Sequence, residues 1–271
     1  MIKQAIIPLA GLGTRLLPLT SVFAKELLPI NGRPGIEYIL EECIEAGIKE
    51  IIFIISTKKL MIKKYFYSDK FYKNIIKKKK DTRIINQYKK ILNYKKKIKF
   101  VFQNIPKGTG DAVLKTQKYI KNKYFLMLLP DDLIIKKNCS KSLIKVHQKY
   151  NASVMASMKV KKNNVSRWGI YKINKKLSNR NFIIDGVVEK PSAKKAPSNN
   201  AVIGRYILPR SIFNKIKSLK PKRGKEVHIT DAIQLLINDK QKFIAHNFEG
   251  KYLDCGTMNG YINSSIEIGK L

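Results

Sequence analysis

Acidic residues are scarce in this 271-residue chain: 19 Asp and Glu stand against 55 Lys and Arg, a formal charge of +36. Such an imbalance points first to a polyanionic partner. Arginine, however, is scarce too, at eight of the 55 cations, and arginine is the residue that reads guanine bidentately and stacks on bases. Lysine spread along the whole chain, beside abundant Ile and Asn, reads as the codon drift of an AT-rich genome. No specific nucleic-acid contact is therefore expected, only weak sticking that salt removes. A non-catalytic basic nucleic-acid binder stands as the rival from another class. Cysteine is limited to Cys43, Cys139 and Cys255, far apart and without CxxC spacing, which excludes a zinc cluster or disulfide frame and suits a reducing cytoplasm. No apolar run approaches the ~18 residues of a membrane span, and residues 1–9 lead directly into a glycine loop, so neither membrane anchor nor signal peptide is expected. The three histidines, His147, His228 and His246, have no evident partners, so a Ser-His-Asp or Cys-His site is not expected.

What is present is a globular pattern, with 44% hydrophobic residues. Short apolar runs alternate with helical spacing, the signature of an α/β fold. Strands are expected at 3–8, 50–56, 98–103, 124–129 and 152–160, and helices over 36–44 and 110–120. In the lysine-laden stretch 61–97, Ile84, Ile85, Tyr88, Ile91 and Leu92 recur at helical spacing, giving an amphipathic helix with a solvated basic face. From Trp168 shorter strands follow: WGIYKIN, NFIIDGVVEK and NAVIGRYIL. Then come a helix with Thr230 as its expected N-cap, a strand KFIAHNF and a terminal helix after Asp254. Residues 1–271 read as one domain, with halves of about 1–150 and 151–271.

Three stretches could carry chemistry. Residues 10–18, AGLGTRLLP, form a glycine turn after a strand, where backbone N–H groups can approach an anion. Leu16 stands where a dinucleotide fingerprint needs its third glycine, and Leu-Leu-Pro stands where a Walker A loop needs Gly-Lys-Ser/Thr. A third scheme is left, in which Arg15 and Lys25 carry the charge for a polyphosphate. LLPDD places Asp131 and Asp132 at a strand's end, positions that suit Mg²⁺ shared with phosphate; Asp254, in YLDCG, has a similar setting. In VVEKP, Glu189 and Lys190 can share one site only if the strand ends or bulges there.

The run GLGTRLLP, KELLPI–GRP, LLPDD, GVVEKP, APSNNAVIGRYIL, EVHITDAI and LDCG resembles the bacterial UTP–glucose-1-phosphate uridylyltransferases over nearly the whole chain. The resemblance implies a single Rossmann-like, GT-A-like α/β domain with a mixed, mainly parallel sheet and a smaller sugar-side lobe. It implies that UTP and glucose 1-phosphate are the partners, that Mg²⁺ is the cofactor, and that the protein is a homo-oligomer. Position by position it implies that Ala10, Gly11 and Gly13 wrap the nucleotide while Arg15 and Lys25 neutralise its phosphates. Gln103 and Gly108 would contact the pyrimidine edge, and Asp131 and Asp254 would ligate Mg²⁺. Gly169, Glu189 and Val202 would contact glucose, and Lys190 would hold the sugar phosphate. Departures are Ala24 for a usual proline, Trp168 where Tyr-Gly is common, and His228 for a usual Gln. Arg223 before Gly224 is more familiar from glucose-1-phosphate thymidylyltransferases, which, with other sugar-nucleotide pyrophosphorylases, are the near alternative.

Overall fold

The apolar runs become strands buried on both faces, and their alternation divides two cores. Ile6, Ile52 and Ile54 pack into one hydrophobic cluster, whereas Ile7, Phe53 and Ile55 pack into the other. That is the period-two alternation of a sheet covered on both sides. The computed structural model describes residues 1–219 and 226–270. Its main sheet has nine strands in the order Ile98–Phe102, Glu50–Ile55, Gln4–Pro8, Tyr124–Leu128, Asn200–Pro209, Ser153–Lys159, Phe243–Asn247, Asn181–Glu189 and Gly169–Lys176.

The first four strands are mutually parallel, and Phe243–Asn247 runs parallel to Ser153–Lys159. The other four neighbour pairings are antiparallel, so the sheet is evenly mixed and the expected parallel majority is corrected. Two causes are visible. Asn200–Pro209 inserts antiparallel between Tyr124–Leu128 and Ser153–Lys159. Residues 177–180 are too few for the crossover a parallel pair requires, so Gly169–Lys176 and Asn181–Glu189 form a hairpin.

Helices form over Gly35–Glu45 and Thr82–Lys95 as their apolar spacing requires. The latter is capped by Asp81, whose carboxylate accepts from the N–H groups of Arg83 and Ile84. The helix expected over 110–120 covers only Thr109–Leu114. Beyond it the Thr116 hydroxyl donates to the Val113 carbonyl at 2.6 Å and the chain tightens into i→i+3 turns. Thr230 is not a cap but the second residue of Ile229–Asn238; His228 holds the cap position and Thr109 Oγ1 accepts from the Ile229 N–H. Among the described residues no helix is long and apolar enough to cross a membrane.

Candidate active site

Gln4–Pro8 and Tyr124–Leu128 are parallel neighbours, so the glycine loop and the Pro130-Asp131-Asp132 turn leave the same edge of the sheet. Ligands of open α/β sheets bind at that edge. Gly13 turns the loop through a left-handed φ of 71°, which a side chain would strain, and the Thr20 hydroxyl donates to its carbonyl at 2.8 Å. The turn presents Arg15 and, further on, Lys25 to Asp131: Lys25 Nζ lies 2.8 Å and Arg15 Nη2 3.3 Å from Asp131 Oδ2. Burial opposes the charge on Lys25, but Asp131 and Glu26 outweigh it and hold the ammonium above the ordinary lysine range. Burial likewise opposes ionisation of Asp131, and the Lys25 charge and hydrogen bond, helped by Arg15, hold its carboxyl below the usual range.

A cleft of about 450 Å³ brings Ala10, Gly11, Gly13, Lys25, Gln103, Gly108 and Asp131 together. Gly108 is required by its backbone: φ is 94°, and a Cβ there would sit 2.4 Å from the Val227 carbonyl oxygen. Gln103 is buried, and its Nε2 donates to Asp111 Oδ2 at 2.8 Å and to the Gly108 carbonyl at 3.2 Å.

Strand pairing brings the two distant aspartates together. Lys251–Asp254 runs antiparallel to Asp132–Ile135, with Asp254 opposite Asp132, and the Cys255 N–H donates to the Asp131 carbonyl at 2.8 Å. A Cβ on Gly256 would lie 2.9 Å from Asp131 Oδ2, 3.2 Å from Asp254 Oδ1 and 2.7 Å from Arg15 Nη2. Glycine therefore keeps a gap open between two carboxylates and a guanidinium. Among the described residues no three or more His, Cys, Asp or Glu side chains are grouped to hold a metal. Two hard carboxylates beside that gap nevertheless fit Mg²⁺, which takes oxygen ligands, and they are the residues that would hold it.

Asp132, beside Asp131, has a different task. Its carboxylate accepts from the Tyr252 hydroxyl at 2.7 Å and the Gly204 N–H at 2.8 Å. Burial, reinforced by the Asp131 charge, pushes it up to about 6. Beneath the turn lies Arg205, fully buried and ion-paired with Glu42 at 2.8 Å. The same guanidinium donates to the carbonyls of Leu129 and Asp132, on either side of Asp131.

On the far half, Gly169 pairs with Glu189 across the hairpin. A Cβ on Gly169 would meet Glu189 Oε2 at 3.1 Å and Val202 Cγ2 at 3.4 Å, so these three form one group. The strand ends at Glu189, and Lys190 turns to a φ of 44° with its N–H bonded to the Trp168 carbonyl. The strand thus ends at the Glu189–Lys190 pair, which is the condition for the two adjacent side chains to share a site. Burial and the carboxylates of Asp132, Glu189 and Asp131 hold the Tyr206 phenol above the usual range. Trp168 packs edge-on against Tyr252, which in turn donates to Asp132. Arg223 and Gly224 lie outside the described residues.

Four supporting groups were not anticipated: the Arg205–Glu42 pair, Asp132 as an anchor, Asp111 beside Gln103, and the buried Lys59–Glu26 pair at 2.8 Å next to the cleft. A lone Arg inside the apolar run VIGRYIL was the one visible signal, because a charge in such a strand requires a buried partner.

A model of the nucleotidyl transferase family matches residues 4–270. A UTP–glucose-1-phosphate uridylyltransferase of Streptococcus pyogenes is 38% identical over 280 residues, spanning 98% of this chain and 88% of its own length. A crystal structure of UDP-glucose pyrophosphorylase complexed with UDP-glucose superposes with a TM-score of 0.86 at 36% identity, covering 100% of this chain and 99% of that one. UTP-bound UGPase from Acinetobacter baumannii gives a TM-score of 0.92 at 31% identity, covering 99% and 94%. The chain belongs to the nucleotidyl transferase family, among the UTP–glucose-1-phosphate uridylyltransferases.

Proposed function

We propose that this protein forms UDP-glucose from UTP and glucose 1-phosphate. A phosphate oxygen of the sugar phosphate attacks the α-phosphorus of UTP, the bond to the β-phosphate oxygen breaks in line, and pyrophosphate leaves. The nucleophile is already an anion at neutral pH, so no general base is needed, and catalysis rests on positioning and charge neutralisation. The observation that carries this reading is the convergence of Lys25, Arg15, Asp131 and Asp254 at the mouth of a cleft floored by the glycine loop.

Lys25 and Arg15 hold the triphosphate, and the backbone of Ala10, Gly11 and Gly13 wraps it. Gln103 and Gly108 meet the base. Gly169, Glu189 and Val202 seat the glucose while Lys190 holds its phosphate. Asp131 and Asp254 are the residues that would hold Mg²⁺, which supplies positive charge to the phosphoryl oxygens when bound. The evenly mixed sheet fits a Rossmann-like, GT-A-like domain with a nucleotide half of about 1–150 and a smaller sugar-side half of about 151–271. A cytoplasmic, self-associating enzyme completes the reading. It is supported by buried free cysteines and by exposed Leu17, Val22 and Phe23 in the loop before Lys25; sedimentation velocity tests the association.

The activity is tested by following pyrophosphate with UTP and Mg²⁺ in the presence and absence of glucose 1-phosphate. Release dependent on the sugar phosphate is expected. Release that ignores it would mean hydrolysis and contradict the transfer.

A further inference from the structure

Gln103 is fixed at both ends of its side chain. Its backbone N–H donates to the Ile55 carbonyl at 2.8 Å, and its amide lies between Asp111 Oδ2 at 2.8 Å and the Gly108 carbonyl at 3.2 Å. Neither neighbour can donate. A backbone carbonyl and an ionised carboxylate offer only lone pairs, so the amide nitrogen must stand there and the oxygen must face the other way. Both neighbours are themselves held. Gly108 is clamped by Val227, whose N–H donates to the Lys107 carbonyl and whose carbonyl accepts from the Gly110 N–H. Asp111 sits on Thr109–Leu114 with Lys115 Nζ 3.8 Å from its other oxygen.

With both hydrogens of Nε2 committed, Gln103 offers the cleft an acceptor and nothing else. Among the described residues no protein group donates to Oε1. We infer that Asp111 is a positioning residue that locks Gln103 with its carbonyl toward the base, so that the cleft admits pyrimidines bearing an N3–H and rejects cytosine. Uracil and thymine present that hydrogen; cytosine presents a lone pair at N3, which faces Oε1 repulsively in the same pose. The lock therefore separates imide from non-imide bases and leaves the choice between uracil and thymine to other contacts. It rests on the reading that the base of UTP lies at Gln103.

The test is equilibrium binding of UTP, dTTP, CTP and N3-methyl-UTP to the wild-type protein and to Asp111→Asn. The wild type is expected to bind UTP at least about tenfold more tightly than CTP or N3-methyl-UTP. In the variant the Asn amide can donate to Gln103, which is then free to turn its nitrogen toward the base. The UTP-to-CTP ratio is expected to fall about tenfold while the UTP-to-dTTP ratio holds within about twofold. An unchanged UTP-to-CTP ratio, or both ratios moving together, would overturn the lock. So would equal binding of UTP and N3-methyl-UTP by the wild type, a comparison that needs no variant to fold. Failure of the wild type to bind UTP at all would overturn the lock and the nucleotide reading together.

Discussion

Arg205 and Glu42 meet at 2.8 Å in the interior, and the Arg205 guanidinium also holds the carbonyls on both sides of Asp131. A charge with no exposed surface is tolerable only while its partners remain. Glu42 in turn accepts from the Ser140 hydroxyl and N–H, so the pair joins three segments beneath the Asp131 turn. Glu42→Gln is expected to destabilise the fold by about 3–5 kcal/mol, and Glu42→Leu with Arg205→Met to cost clearly less than either single change. Urea unfolding of all four variants measures this. Equal stability of Glu42→Gln and the wild type would show that the pair is not needed.

The gap at Gly256 gives a second expectation. Gly256→Ala places a methyl group against Arg15, Asp131 and Asp254, all side-chain ends that can shift without unfolding the protein. Activity is expected to fall about a hundredfold, the cost of a misplaced reacting group, with the melting temperature nearly unchanged. Asp131→Asn and Asp254→Asn should each cost roughly three powers of ten, because a unit charge interaction of about 4 kcal/mol is lost. On the proposal that both hold one ion, the double variant should be scarcely worse. The measurement is kcat against Mg²⁺ concentration, and a near-normal kcat at saturating Mg²⁺ would remove that residue from the site.

The separate roles proposed for the two lysines give a further expectation. Lys25 lines the cleft above the glycine loop, whereas Lys190 follows the strand that carries Glu189. Lys25→Ala is expected to impair UTP binding chiefly, and Lys190→Ala to raise KM for glucose 1-phosphate about tenfold or more with a smaller effect on KM for UTP. Initial rates with each substrate varied in turn check this. Equal effects on both substrates would show that the halves are not separate.

Much of this architecture was legible in the sequence because it is local. The apolar runs at 50–55 and 124–128 fall where strands form, and the glycines of the loop reveal its turn. The nearness of Asp254 to Asp131 was implied by the family resemblance but not by spacing, since it depends on Lys251–Asp254 pairing with Asp132–Ile135 more than a hundred residues earlier. Thr230 fails as a cap for a related reason: Thr109, from a distant segment, meets the helix's first amide. The antiparallel insertion of Asn200–Pro209 escaped notice because a strand buried on both faces reads alike in either direction.

His246 gives a prediction in pH. Burial, with the Arg180 charge nearby, pushes its imidazole down to about 4, below the ordinary value near 6.5. The unfolded chain therefore binds a proton that the folded one refuses between those values. His246 contributes no penalty above about pH 6.5 and costs the fold progressively as pH falls toward 4, by about 3 kcal/mol in all. In the fold its ring bonds to Ser142 and Asn181, contacts that a glutamine can mimic without titrating. The wild type should lose more stability than His246→Gln between pH 7 and 4, measured by urea unfolding at each pH. Parallel curves would contradict the assignment.

The central claim is that the cleft transfers a uridylyl group, and the most direct measurement is product formation from glucose 1-phosphate and Mg²⁺ with UTP, dTTP, CTP, ATP or GTP. UDP-glucose from UTP at the highest kcat/KM, with one pyrophosphate released per sugar nucleotide, is the predicted result. A kcat/KM about tenfold higher with dTTP than with UTP, or no sugar nucleotide from any of the five, would contradict it.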